Sequence, residues 1–217
     1  MTDEPFAAER RAMVEEQLRR RGIHDERLLE AMRRIPRHEF VSAEQSRQAY
    51  ADHPVVIPEQ QTTSQPYIIA AMVQAAEVQP RDRVLEVGAG SGYQTALLAE
   101  LAAHVIAVER YSSLAESAQA RLQRLGYRNV VVVAGDGTLG WESSAPYDAI
   151  IVSAAAPRVP PALLEQLSAG GRLVIPIGDA HAQVLQLFHK NADDSISMTQ
   201  LEACRFVPLI GRYGFAA

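Results

Sequence analysis

The residues best placed to do chemistry are a glycine cluster and three acids spaced along the middle of the chain. Leu85-Glu86-Val87-Gly88-Ala89-Gly90-Ser91-Gly92 follows a short apolar run and precedes an amphipathic one. Glycines at such a crossover let the backbone turn tightly and approach a ligand, while the helix beginning there offers unpaired amides. Glu86 stands two residues ahead of Gly88, Glu109 follows Gly88 by 21, and Asp136 lies in Ala134-Gly135-Asp136-Gly137. A carboxylate at the position of Glu109 can accept hydrogen bonds from a ribose diol. Plainer readings exist for each: a turn without a ligand, a solvated strand end at Glu109, and a tight-turn aspartate at Asp136.

Spacing separates the nucleotide ligands. A dinucleotide site wants G-x-G-x-x-G, with its third glycine where this chain has Tyr93. Here the pattern is G-x-G-x-G with an acid two residues ahead, which resembles the motif of class I S-adenosylmethionine-dependent methyltransferases. That ligand carries a sulfonium and no pyrophosphate that would need a phosphate cradle. The resemblance implies that Glu86, Gly88, Ala89, Gly90 and Ser91 form the cofactor loop and that Glu109 takes the ribose. It also implies that Asp136 and Gly137 lie at the adenine, the acid near the amino group.

These residues must be held by strands and helices. Around residues 25–35 the apolar Leu28, Leu29, Met32 and Ile35 fall on one helical face, with Asp25 as N-cap and Pro36 as stop. Residues 50–66 carry Pro54, Pro58 and Pro66 without periodicity and read as a long loop, of the kind that tends to be functional. From residue 81 onward strands alternate with helices. The strands are expected at 83–87, 104–108, 130–133, 147–152 and 172–176, with a helix at 160–167 between the last two. Fully apolar strands such as Ala149-Ile150-Ile151-Val152 belong in a parallel sheet covered on both faces. Residues 184–189 and 205–209 read as terminal strands, a candidate antiparallel pair. The expected fold is α/β and Rossmann-like: a mostly parallel sheet with a C-terminal antiparallel part and helices on both faces. One domain spans 1–217, with a helical part and substrate-side loop at 1–66, a cofactor core at 81–178 and C-terminal strands at 179–217.

Composition narrows the partners. The 217 residues are 47% hydrophobic and 22% charged with a net charge of −5, so no basic footprint points to nucleic acid. Cys204 is the only cysteine, so no internal disulfide forms. The acidic start Met1-Thr2-Asp3-Glu4-Pro5 is unlike a signal peptide, and no apolar run approaches the roughly 20 residues of a membrane span. A cytoplasmic protein is expected. The six histidines are scattered without metal-ligand spacing, so no metal site is expected. No apolar heptad pattern asks for a dimer, and a monomer is expected.

Longer segments carry a narrower resemblance. Thr62-Thr63-Ser64-Gln65-Pro66-Tyr67, Gly135-Asp136-Gly137-Thr138-Leu139-Gly140-Trp141, Ala154-Ala155-Ala156-Pro157 and Gly170-Gly171-Arg172-Leu173-Val174-Ile175-Pro176 are four of its pieces. Ile35-Pro36-Arg37-His38-Glu39-Phe40-Val41 and Arg205-Phe206-Val207-Pro208-Leu209 add to them. Across residues 13–211 the chain resembles the protein-L-isoaspartate (D-aspartate) O-methyltransferases. The resemblance implies methyl transfer from S-adenosylmethionine to the α-carboxylate of L-isoaspartyl, and possibly D-aspartyl, residues in damaged proteins. The ester then closes to a succinimide whose hydrolysis returns some aspartate. A carboxylate with a reference pKa of about 3.5 to 4 is already ionised at pH 7 and needs no base. Positioning and water exclusion can supply the rate, and selectivity needs polar groups matched to the misplaced carboxylate.

By the same resemblance Ser64 is the active-site serine; a serine ahead of Pro66 can also simply cap the following helix. Two alternatives remain: a methyltransferase with another acceptor, and a silent S-adenosylmethionine-binding module. The chain departs from the family pattern where Gln60 replaces glycine, Thr63 replaces isoleucine and Ile210 replaces threonine, in segments expected to line the substrate cleft. Trp141, Tyr67 and Met72 are expected to pack, and Arg37-His38 to form a structural turn.

Overall fold

The computed structural model describes residues 6–216. Helix α1 (Ala7–Ala12) runs on through a π-helical turn and a 3-10 turn to Arg21. In α2 (Glu26–Arg34), Asp25 is the N-cap: its Oδ1 accepts from the amides of Arg27 at 2.9 Å and Leu28 at 3.2 Å. The helix buries Leu28, Leu29 and Met32 completely, each worth about 1.5–3 kcal/mol of transfer free energy. A hairpin of β1 (Val55–Ile57) and β2 (Gln61–Thr63) precedes α3 (Pro66–Ala75), which opens on a proline.

The chain then alternates: β3 (Arg83–Val87), α4 (Tyr93–Leu101), β4 (His104–Glu109), α5 (Ser112–Arg124), β5 (Val130–Ala134), β6 (Tyr147–Val152), α6 (Pro161–Glu165) and β7 (Leu167–Gly178). Two further strands follow, β8 (Gln183–Lys190) and β9 (Ile196–Cys204). They form one sheet of order β5-β4-β3-β6-β7-β8-β9, parallel from β5 to β7 and antiparallel across β7-β8-β9. Period-two alternation assigns each side chain a layer. Val84, Val105, Ile151 and Val174 join Leu28, Met32, Met72 and Leu97 on one face. Leu85, Val87, Ile150, Leu173 and Ile175 meet Tyr147 and Leu163 of the other. Strand order reverses beside β3, which opens a crevice at the carboxyl ends of β3, β4 and β6, where such sheets bind ligands.

The Rossmann-like expectation holds, with local corrections. The segment read as a loop at 50–66 contains the β1–β2 hairpin. The expected strand at 205–209 is not one. Pro208 has no amide to give a ladder, and the segment crosses the strand ends instead, with Ala155 N–H on Val207 O and Leu209 N–H on Ala155 O. The true partner of β8 is Ile196–Cys204, an edge strand largely exposed on both faces and so lacking apolar alternation. The helix expected at 160–167 is shorter, and β7 extends beyond 172–176 at both ends. Met72 is fully buried and Trp141 half-buried in packing, but Tyr67 only edges the core, its hydroxyl donating to Glu202 at 3.3 Å.

Candidate functional site

The glycine loop is the first wall of the crevice. Gly88, Gly90 and Gly92 take φ of 89°, 53° and 87°, so the turn from β3 into α4 runs through left-handed backbone that side chains disfavour. Gly92 caps α4 at a point where an added Cβ would lie 3.3 Å from Ala118 Cβ of α5. Close packing of loop, α4 and α5 therefore fixes where the loop amides stand.

Glu86 does not face the crevice. Fully buried behind the loop, it accepts from Thr95 Oγ1 at 2.5 Å and Gln94 Nε2 at 3.0 Å, both in the first turn of α4. Burial pushes its carboxyl up to about 8, partly offset by the Thr95 and Gln94 bonds. At neutral pH this acid is largely protonated, and it holds the start of α4.

Glu109 ends β4 on the opposite wall. Its Oε2 accepts the Gly90 amide at 2.8 Å and its Oε1 the Tyr111 amide at 3.0 Å, so both oxygens are oriented before any ligand arrives. Asp136 is a corner. Its Oδ1 accepts from the Thr138 amide and hydroxyl at 2.9 and 2.7 Å, and its Oδ2 accepts the Arg212 amide at 2.8 Å. Burial raises its carboxyl, but those bonds and the nearby Arg110 charge outweigh it and hold the group below its ordinary value. Gly137 sits where a Cβ would fall 2.3 Å from Val87 Cγ1.

Between these walls lies a cavity of about 480 Å³. Gly88, Gly90, Glu109 and Gly137 line it; Glu86 stands behind the loop, Ala89 and Ser91 belong to the loop but not to this wall, and Asp136 braces the corner beside Gly137. Ser91 instead borders a separate cavity across the β1–β2 hairpin, its carbonyl accepting from Arg121 at 2.8 Å. Ser64 borders an adjoining cavity of about 240 Å³, joined to the first along Thr62, Ser153 and Val207. The N-cap of α3 is Gln65 and no side chain caps it, so Ser64 is not the cap. Its hydroxyl has no hydrogen-bond partner among the described residues, while its carbonyl accepts from Arg37 Nη2 at 2.7 Å.

Two segments roof the cavity. One is the hairpin tip, where Glu59 and Gln60 both hold positive φ of 59° and 56° and Ser113 Oγ donates to Glu59 at 2.6 Å. The other is the crossing segment, with Val207 and Ile210 on the wall. Gln60 and Ile210, two of the three departures from the family pattern, thus line one cavity, whereas Thr63 is buried and not on its wall. Sequence reasoning missed Ser153, Arg110 and Tyr111; a serine directly after an apolar parallel strand was the available signal for the first. Among the described residues no three His, Cys, Asp or Glu side chains form a metal cluster, and no helix is long and apolar enough to cross a membrane.

Comparison with known proteins agrees with this geometry. Residues 8–214 match the family model described as Protein-L-isoaspartate(D-aspartate) O-methyltransferase. A protein-L-isoaspartate O-methyltransferase of Koribacter versatilis is 53% identical over 97% of this chain and 95% of its own. One from Syntrophobacter fumaroxidans is 51% identical over 97% and 98%. A solved protein-L-isoaspartate O-methyltransferase superposes with TM-score 0.86 at 30% identity, covering 94% of this chain and 67% of that one. A Plasmodium falciparum structure described as a protein-L-isoaspartate O-methyltransferase in complex with S-adenosyl-L-homocysteine gives a TM-score of 0.79 at 27% identity, over 93% of this chain and 98% of that one.

Proposed function

The chain belongs to the protein-L-isoaspartate(D-aspartate) O-methyltransferase family, and we propose that Glu109 and Ser64 divide its site between cofactor and acceptor. The enzyme methylates the α-carboxylate of isoaspartyl residues with S-adenosylmethionine, which starts their repair through a succinimide. The residues present suit that cofactor. The carboxylates of Glu59 and Glu109 line the cavity with Arg110 as the only Lys or Arg among its lining residues. That balance fits a sulfonium better than a run of phosphates. When bound, S-adenosylmethionine supplies a methyl that the acceptor carboxylate takes as the carbon–sulfur bond breaks, leaving its electron pair on sulfur.

What the chain contributes is placement. Glu109, pinned by two amides, offers its remaining lone pairs to the ribose hydroxyls; this fixed carboxylate carries the reading. Glu86 secures α4 and with it the loop of Gly88, Ala89, Gly90 and Ser91, while Asp136 secures Gly137 at the adenine end. Ser64 donates its unpaired hydroxyl to the acceptor carboxylate. No group need take or give a proton, because the acceptor is ionised already. We propose further that the chain acts as one domain and as a monomer, on proteins in the cytoplasm, without nucleic acid or membrane as partner. The net charge of −5 supports the exclusion of nucleic acid.

The test is methyl transfer to an isoaspartyl peptide and to its aspartyl counterpart. Wild-type protein should methylate only the first. Ser64→Ala should lose catalytic efficiency while keeping S-adenosylmethionine affinity. Tight cofactor binding with no isoaspartyl-dependent transfer would overturn the reading in favour of another acceptor.

A further inference from the structure

Ser153 follows β6, and its amide donates to Val87 O at 2.8 Å, so its backbone is anchored to the centre of the sheet. Ser153 lines both cavities where they meet, the one that holds Glu109 and the one that holds Ser64. Gln94 Nε2 donates to Ser153 Oγ at 2.9 Å and to Glu86 Oε1 at 3.0 Å, which uses both hydrogens of that amide. A hydroxyl has one hydrogen and two lone pairs. Because Ser153 Oγ receives a bond from the buried side, its own hydrogen is left to donate, and no acceptor among the described residues takes it. Gly88 packs against it at the distance of ordinary contact, since an added Cβ there would lie 3.5 Å from Ser153 Cβ. The hydroxyl is therefore held on three sides: by the sheet, by the Gln94 amide and by the glycine loop.

We propose that Ser153 is a second acceptor-binding hydroxyl, presented to the isoaspartyl carboxylate where the cofactor cavity opens into the cleft of Ser64. This rests on the proposed function and adds a specificity residue to it. A carboxylate has two oxygens and must have one directed at the methyl. Hydroxyls on two sides, Ser64 from the α3 approach and Ser153 from the sheet, fix its plane as well as its position. An ordinary aspartyl side chain, whose carboxylate is attached to the chain one carbon differently, would not satisfy both at once. A site built to bond a polar group discriminates strongly when that bond cannot be made.

The experiment compares wild type, Ser153→Ala and Ser153→Thr in methylation of an isoaspartyl peptide, S-adenosylhomocysteine calorimetry and a thermal melt. Ser153→Ala should lose at least about tenfold in kcat/KM, the size of one hydrogen bond to a charged group. S-adenosylhomocysteine affinity should stay within about twofold and the melt should be little changed, because only one hydroxyl is removed. Ser153→Thr keeps the hydroxyl and should recover most of the rate. Wild-type efficiency in Ser153→Ala, or a loss in cofactor-product affinity as large as the loss in kcat/KM, would overturn the assignment while leaving the enzyme's function intact. A wild-type protein that binds S-adenosylhomocysteine yet never methylates the isoaspartyl peptide would instead overturn the function and this role together.

Discussion

Arg37 holds Ser64 by its main chain: its Nη2 donates to the Ser64 carbonyl at 2.7 Å, while its Nε donates to the Ala49 carbonyl at 2.6 Å. The guanidinium is fully buried and lies 4.5 Å from the Tyr93 ring centroid. Burial pulls Arg37 below its ordinary value, opposed mainly by the electron-rich side of Tyr93, and an arginine so shifted still stays charged. One cation thus joins the N-terminal layer, the start of α4 and the main chain at Ser64, the serine proposed to face the acceptor. What reads in the sequence as a structural turn at Arg37-His38 also positions the site.

Replacing that cation should therefore affect stability and rate together. Arg37→Leu leaves two carbonyls without their donor, at about 1–3 kcal/mol each where they are buried. Urea denaturation should show the loss. In the folded fraction, kcat/KM on an isoaspartyl peptide should drop with S-adenosylhomocysteine affinity preserved. Equal losses in both would mean that Arg37 shapes the whole site and not Ser64 in particular.

Glu109→Ala should weaken S-adenosylmethionine binding at least about tenfold. The variant would lose the charge-assisted bonds proposed to the ribose, each about 1.5–3 kcal/mol, and releases the Gly90 amide. Calorimetry on folded variant showing wild-type affinity would exclude the ribose role.

The pH dependence of stability should carry the mark of Glu86. Its folded carboxyl is raised to about 8 by burial, so the folded state binds a proton that the unfolded state, near 4.5, releases. Stability from this group is complete below about pH 4.5 and is lost as pH rises toward 8. Glu86→Gln, which mimics the protonated acid, should flatten that decline between pH 5 and pH 8. Thermal melts of both proteins across that window measure it; parallel curves would show that Glu86 ionises normally.

How much of this was legible beforehand differs by residue. The glycine loop and the parallel strands follow from local pattern, because each signal sits within a few residues and each strand is buried on both faces. Gly88, Gly90, Glu109 and Gly137 accordingly reach the cavity wall. Ser64 entered only through family resemblance; nothing around it in the sequence marks it. The roles of Glu86 and Asp136 were hidden for a different reason. Their partners are set by packing, the first by the turn onto α4 and the second by Arg212, 76 residues downstream. Strand β9 has no legible signal because an edge exposed on both faces has no apolar rhythm, whereas the apolar 205–209 has the composition of a strand without being one.

Gln60 and Ile210 roof the same cavity from segments far apart in the chain, so their substitutions should be tested as a pair. Ile210→Thr restores a hydroxyl worth about 0.5–1.5 kcal/mol and should raise kcat/KM roughly two- to tenfold. Gln60→Gly removes a side chain from a position at φ 56°, where an L-residue costs about 1–2 kcal/mol. If the two segments act separately, the double variant should show the sum of the single effects within about 0.5 kcal/mol. A larger deviation in the kinetic cycle would show that hairpin tip and crossing segment are coupled.

The gap at Gly137 bears on descent. A methyl group added there would meet Val87 Cγ1 at 2.3 Å, although the two residues belong to different strand ends. An alanine at 137 could then be inherited only beside a smaller residue at 87, so the change at 87 has to come first. Lineages of this enzyme should accept glycine at 137 beside a residue of either size at 87 but alanine only beside a small one, and a chain bearing valine and alanine together should be missing from them.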